Sequence, residues 1–150
     1  MLHSRDQEFA KTVYEQVSAF KQLHTNAEGK TDKKVKQYGS MAHKLPLMIR
    51  SAGLAQTLAF VQVKSKKQKA CEQLLDDLAK TLNQLNGEKF VDQSRIVSLD
   101  EYMFLTQNAL AALLWYKRYA QSVLDVEPGD EPDDADDEVK SENQQQDGVK

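Results

Sequence analysis

The chain has 150 residues, of which 40% are hydrophobic and three are proline, and it carries a formal net charge of −3. This length suits one domain with a single hydrophobic core. The one cysteine, Cys71, excludes an internal disulfide framework. A membrane span would need roughly 18 uncharged apolar residues in a row, and the charges near the N-terminus interrupt any secretory signal. We therefore expect a cytoplasmic protein.

The net charge conceals a basic body and an acidic tail. Residues 125–150 contain eleven acidic residues and two lysines, a formal charge of −9, which leaves +6 on residues 1–124. Within the body, residues 30–69 carry nine lysines and Arg50, with Asp32 as the single acid. Such a segment can attract the phosphates of a nucleic acid. The alternative is a solvated helix face whose lysine stems cover apolar surface.

The spacing of apolar residues predicts two helices in the first third of the chain. Ser4 and Gln7 form a capping-box pattern that opens a helix over about 4–24. After a polar loop, a second helix begins near Asp32, and we expect it to bend or restart at Pro46, which lacks a backbone donor. The predicted buried stripes are Phe9, Val13, Val17, Phe20 and Leu23 in the first helix, and Val35, Tyr38, Met41, Ala42 and Leu45 in the second.

Two more helices are predicted in the middle of the chain. The first follows Gly53 and ends near Val63, and a basic connector leads into the second, which should run to about Asn86. Asn86-Gly87 is a favourable stop, because glycine readily adopts the left-handed conformation that ends helices. The apolar positions of this fourth helix are Ala70, Leu74, Leu78, Leu82 and Leu85.

The last helix begins at Ser98, which forms a second capping-box pattern with Glu101. Its stripe comprises Tyr102, Leu105, Ala109, Leu113, Tyr116, Ala120 and Val123. The segment that follows holds too few apolar side chains to offset the entropy of ordering. We therefore predict an all-α, compact bundle of five or six helices over residues 1–124, one of them bent near Pro46, and a disordered acidic tail over residues 125–150.

A search for catalytic or cofactor-binding patterns finds none. The three histidines are scattered, the cysteine stands alone, and neither has a partner at the spacing of zinc ligands. The glycines are single, so no phosphate-binding loop is present. Asp76 and Asp77 are adjacent in a helix and point about 100° apart, which is unsuitable for a carboxylate pair. We expect no enzyme, no metal and no cofactor, with Cys71 as a small residue in the core or on its flank and His43 at the surface.

Aromatic residues cluster near the end of the last helix, where five consecutive positions from Trp115 to Tyr119 encircle the helix. Not all of them can face one core, and an exposed aromatic beside Arg118 would suit a protein interface. A second packing surface inside the bundle is the alternative. The candidate contacts with nucleic acid or partner subunits are Lys44, Arg50, Gln56, Lys64, Lys66, Lys67, Lys69 and Arg118.

The most specific sequence feature is residues 38–60, which read YGSMAHKLPLMIRSAGLAQTLAF. This stretch closely resembles the small helical subunit of the type III-B CRISPR effector, the Cmr complex. The resemblance covers a Tyr-Gly-Ser start, a Lys-Leu-Pro turn, an Ile-Arg pair and a Gly-Leu-Ala-Gln-Thr-Leu-Ala-Phe helix, in order and without gaps. The first helix also looks like the family's opening helix, whereas the acidic tail lies outside the resemblance.

The resemblance implies a non-catalytic subunit that assembles with other Cmr subunits and with copies of itself. Members of this family stack in a minor filament along the groove where guide RNA pairs with target RNA, in antiviral defence. The basic residues would then make backbone contacts with the guide–target RNA duplex. The alternative is a free-standing nucleic-acid-binding regulatory protein whose acidic tail is autoinhibitory. A membrane partner or a small-molecule substrate is not expected.

Overall fold

The computed structural model describes residues 3–130, and within this range all the regular structure is helical. No helix in that range combines the length and apolar character needed to cross a lipid bilayer. The six helices are α1 (Arg5–Leu23), α2 (Lys33–Ala52), α3 (Leu54–Ser65), α4 (Lys69–Thr81), α5 (Gly87–Ile96) and α6 (Leu99–Ser122). The predicted all-α bundle is confirmed.

Side-chain caps define the helix starts that the sequence predicted. The Ser4 hydroxyl accepts from Gln7 N at 3.1 Å, and the Gln7 side chain accepts from Ser4 N at 2.9 Å, which completes a capping box at α1. The Ser98 hydroxyl accepts from Glu101 N at 3.3 Å and caps α6. These contacts satisfy backbone donors that the first turn of a helix leaves unpaired.

The helices pack around one core. Helix α6 lies against α1 and α2, while α3, α4 and α5 pack on one another, and α4 joins the two groups through its contacts with α2. The predicted stripes of α2 and α6 are buried or partly buried. Leu23 and Leu85 were predicted as core residues but are each 79% exposed, because Leu23 is the last residue of α1 and Leu85 lies in the turn between α4 and α5.

Pro46 lies inside α2, which continues to Ala52, so the helix does not restart at the proline. The break comes at Gly53, whose φ of +88° is a conformation that glycine adopts without steric cost. The Gly53 amide donates to Ile49 O at 2.8 Å and closes the end of α2. The Tyr102 hydroxyl accepts from Ala55 N at 3.1 Å and fixes the start of α3 against α6.

The junction between α4 and α5 differs from the prediction. Helix α4 ends at Thr81, and Asn83 adopts a positive φ of 61°. Asn86, predicted as the end of a helix, instead begins α5, because its side chain accepts from Lys89 N at 2.9 Å. Asp76 accepts from Gly87 N at 2.7 Å and ties the same turn to α4. The predicted fourth helix therefore ends about five residues early, and α5 is an additional helix that the sequence analysis did not predict.

The C-terminal segment after α6 packs on α2. Val126 is only 3% exposed, and a Cβ atom at Gly39 would lie 2.7 Å from the Val126 Cβ, so glycine is required for this approach. His43 Nε2 donates to Val126 O at 2.8 Å, and the Ser40 hydroxyl donates to Asp130 O at 3.2 Å. The core thus includes a residue beyond the predicted domain boundary at residue 124, and the disorder predicted for 131–150 lies outside the described residues.

Candidate nucleic-acid interface

Four of the predicted contact residues lie together at the turn between α3 and α4. Lys66 and Lys67 are exposed in the turn itself, Lys64 is half-buried near the end of α3, and Lys69 begins α4. We call these four residues the lysine turn. Lys69 lies 3.6 Å from Glu72, and both side chains are more than half exposed. Exposed pairs of this kind are weak, so the turn retains a strong positive potential.

A buried glutamine holds the lysine turn in place. The Gln68 side chain points into the protein, where its Oε1 accepts from the Cys71 thiol at 3.3 Å, and its backbone amide donates to Lys64 O at 2.8 Å. With Gln68 directed inward, Lys66 and Lys67 are directed to solvent. The N-terminus of α4 adds the positive end of a helix dipole, so the turn suits a phosphate group.

The other predicted basic contacts lie on α2. Lys44 and Arg50 are exposed, and so is Lys36, which belongs to the basic segment but was not among the candidate contacts. At 100° per residue the three side chains fall within a sector of about 120° around the helix. Gln56, on α3, is also exposed. We call Lys36, Lys44 and Arg50 the basic face of α2.

The positive charge of the body is concentrated on this helix. Helix α2 carries four lysines and one arginine and no acidic residue. Helices α1, α5 and α6 each contain equal numbers of basic and acidic residues. Helix α3 has one lysine, and α4 has three acids against two lysines. Among the six helices, the formal positive charge is therefore greatest on α2, and the lysine turn adds further lysines between α3 and α4.

The aromatic residues near the end of α6 form a second packing surface with α1. The Trp115 indole donates to the Asp6 carboxylate at 2.9 Å, and its ring stacks on Tyr119, whose ring in turn meets Tyr14 edge-on at 5.4 Å. Trp115 and Tyr119 are both half-buried. Arg118 is exposed and lies over the Trp115 ring, 5.9 Å from its centre. The structure thus favours the interpretation that Trp115 and Tyr119 form a packing surface within the bundle. Arg118 remains at the surface, on a different helix from the residues of the lysine turn.

A buried polar cluster that the sequence did not reveal joins α1, α2, α4 and α6. Asp77 accepts from the Tyr38 hydroxyl at 2.7 Å and from the Gln73 amide at 2.8 Å. The Tyr116 hydroxyl lies 2.9 Å from the Thr81 hydroxyl. Gln16 completes the set by donating to Asp77 O at 3.1 Å and accepting from Tyr116.

Burial changes the pKa values of the ionisable groups in this cluster. Desolvation raises the pKa of Asp77 above its ordinary value, even though hydrogen bonds from Tyr38 and Gln73 and the charge of Lys80 oppose the change. Desolvation also raises the pKa of Tyr38 and the pKa of Tyr116, so both phenols stay neutral. The cluster joins four helices through hydrogen bonds between side chains and backbone, so its role is to orient the helices.

The residues without a predicted catalytic role, Cys71, His43, Asp76 and Asp77, make structural contacts. Cys71 is buried in the core, whereas His43, expected at the surface, is half-buried because its Nε2 atom donates to Val126 O. Asp76 caps α5 while Asp77 points into the core, so the adjacent carboxylates serve different elements. Within residues 3–130 no three side chains of His, Cys, Asp or Glu form a group that could hold a metal ion.

An exposed apolar stripe runs along α6 on the side away from the core. Leu99, Met103 and Leu114 are 73%, 53% and 45% exposed, respectively, and their spacing places them within about 60° around the helix. Leu110 lies between them and is half-buried. Large apolar side chains aligned on one exposed face are typical of a protein interface. We call these four residues the apolar stripe of α6.

Comparison with known proteins gives consistent results. A family model described as CRISPR-associated protein (Cas_Cmr5) matches residues 5–123. The CRISPR system Cmr subunit Cmr5 of Thermus thermophilus is 35% identical over 124 residues, which cover 83% of this chain and 99% of the relative. The crystal structure of a CRISPR-associated Cmr5 family protein from the same organism matches with a TM-score of 0.70 and 33% identity, over 81% of this chain and 98% of that one. The chain therefore belongs to the Cas_Cmr5 family of CRISPR-associated proteins.

Proposed function

We propose that this chain is a non-catalytic small subunit of a type III-B CRISPR (Cmr) complex that acts in the cytoplasm. The observation that carries the proposal is the family match over residues 5–123, which takes in all six helices. The relative from Thermus thermophilus is named a Cmr subunit and is covered almost completely. The buried Tyr38–Asp77 cluster supports a structural role, because its hydrogen bonds are satisfied within the bundle.

In this proposal the subunit stacks with copies of itself and with other Cmr subunits in a minor filament beside the guide–target RNA duplex. The apolar stripe of α6 supplies a protein contact, since burial of large apolar side chains stabilises association. The basic face of α2 and the lysine turn supply contacts with phosphates. These contacts would be independent of base sequence, because lysine acts as a point charge on a flexible stem.

Affinity purification from the native cells tests the assembly. A tagged chain should recover the other Cmr subunits together with a repeat-derived guide RNA. Introducing a charge into the apolar stripe by Met103→Glu should reduce this recovery without loss of helicity, and the exposed Gln22→Glu on α1 is the matched control. Recovery of the chain alone, or with DNA of one locus, would contradict the proposal and favour a free-standing regulatory protein.

The lysine turn can be tested within the assembled complex. Lys66→Ala with Lys67→Ala should weaken binding of target RNA and lower the salt dependence by about one unit for each phosphate that the turn no longer neutralises. The double variant Lys11→Ala with Lys89→Ala removes two exposed lysines from α1 and α5 and should leave both quantities unchanged. Equal effects of the two double variants would mean that overall charge, and not this turn, governs RNA binding.

A further inference from the structure

The segment that follows α6 packs on α2, and its last described residue, Asp130, lies beside the basic face of that helix. The carbonyl of Asp130 accepts from Ser40 at 3.2 Å, and the carbonyl of Val126 accepts from His43 at 2.8 Å. Ser40 lies one helical turn from both Lys36 and Lys44, a separation of about 6 Å along the axis. The residues that follow Asp130 therefore start among the exposed cations of this helix.

The residues beyond Asp130 carry the opposite charge. Residues 131–150 contain eight acidic residues and two lysines, a formal charge of −6. Helix α2 carries five basic residues and no acid. Asp130 and Glu127, the acids nearest to the start of this segment, are engaged by Glu127 N and by Gln121, respectively. They therefore leave the basic face of α2 to other anionic groups.

The segment is long enough to cover this face. Twenty residues span at most about 70 Å when fully extended, whereas Ser40 and Arg50 lie about 15 Å apart along the helix. Helices α1, α5 and α6 have no net charge, so they offer no comparable attraction. Single exposed ion pairs contribute little, but covalent attachment gives the acidic groups a millimolar effective concentration beside several cations at once.

We propose that residues 131–150 bind the basic face of α2 within the same chain. Contacts between the acidic groups and Lys36, Lys44 and Arg50 would hold the segment along the helix, and salt would weaken them. The segment lies outside the region that matches the family model, so this contact is a property of this chain.

A paramagnetic label on the free chain tests the contact without RNA or partner subunits. A nitroxide is attached through Lys140→Cys in a chain whose native thiol is removed by Cys71→Ala. Amide signals of residues 33–51 should lose roughly half of their intensity at low salt and recover at about 0.5 M salt, where the screening length falls to about 4 Å. Signals that are unaffected by the label, or a loss that salt does not change, would overturn the proposal.

Matched variants separate specific binding from mere proximity. Lys36→Glu with Lys44→Glu should abolish the salt-sensitive signal loss on α2, whereas Lys11→Glu with Lys89→Glu, which changes the net charge equally, should preserve it. If the first pair reduces helicity, Lys36→Gln with Lys44→Gln replaces it. An equal reduction of the salt-sensitive signal loss in both double variants would overturn the proposal. So would broadening of an isotope-labelled chain by a nitroxide carried on a second chain, because the contact would then form between copies.

Discussion

Asp77 has the most unusual environment of any acidic residue in the described chain. It is 6% exposed, and its carboxylate accepts hydrogen bonds from Tyr38 and Gln73. Burial raises the pKa of Asp77 above 3.8, its ordinary value. The folded chain therefore binds a proton at this residue more readily than the unfolded chain does. The contribution of Asp77 to stability is complete below about pH 3.8 and is lost as the pH rises through the folded pKa.

The variant Asp77→Asn removes this titration while keeping a similar shape. The free energy of unfolding of the native chain, relative to that of the variant, should increase as the pH falls from about 7 towards 4. Urea unfolding of both proteins across this range measures the difference, in which the contributions of groups that titrate identically in the two proteins cancel. Glu88→Gln, at an exposed position, is the control for the change of a carboxyl group to an amide. A difference for Asp77→Asn that is flat, or that falls towards acid pH, would contradict the assignment.

The sequence could not predict this cluster because its members are far apart in the chain. Tyr38 and Asp77 are separated by 39 positions, and Gln16 and Tyr116 by 100. The spacing of apolar residues correctly places Tyr38 and Tyr116 in the core, but it does not show which polar group each hydroxyl contacts. In contrast, the caps at Ser4 and Ser98 are local patterns of four residues, and both serines were correctly predicted as N-caps, although only Ser4 completes the predicted capping box.

At the scale of elements, the junction of α4 and α5 shows the limit of local patterns. Asn-Gly can follow a helix or precede one, because asparagine serves both as an N-cap and in left-handed turns. Here the left-handed position belongs to Asn83, and Asn86 is the cap. The choice depends on Asp76, which binds Gly87 N from the preceding helix. That contact arises only once α4 and α5 have packed together.

This assignment predicts opposite effects for two neighbouring asparagines. Asn86→Ala should destabilise the fold by about 1 kcal/mol, because Lys89 N loses its acceptor. Asn83→Gly should instead preserve stability or raise it by less than about 1 kcal/mol, since glycine relieves the positive φ. Chemical denaturation measures both changes, and each variant serves as the control for the other. Stabilisation by Asn86→Ala would mean that the cap contributes nothing.

At the scale of the whole molecule, the basic excess that composition places in residues 30–69 corresponds to particular elements of the structure. The basic excess lies on α2, most of which belongs to the family resemblance of residues 38–60, and on the lysine turn, which follows that stretch. Composition could not locate the end of the folded part, because Asp125 and Glu127 flank Val126 and make the segment look uniformly acidic. Val126 packs only because Gly39, 87 positions earlier, leaves space for it.

Two truncations test where the folded domain ends. A chain that stops at Asp130 retains Val126 and should have nearly the melting temperature of the full chain, because exposed ion pairs to the removed segment add little. A chain that stops at Asp125 loses the buried valine, its hydrogen bond to His43 and the bond from Val126 N to Ala120 O.

Burial of a valine contributes about 1.5–2 kcal/mol, so the shorter chain should melt at least roughly 5 °C lower. Thermal denaturation at low and high salt distinguishes packing from charge, since only an electrostatic contribution disappears at high salt. Equal melting temperatures for the two truncated chains would show that Val126 adds nothing to the core, and the boundary would return to residue 124. A large salt-sensitive loss on truncation at Asp130 would instead show that residues 131–150 stabilise the folded domain through the basic face of α2.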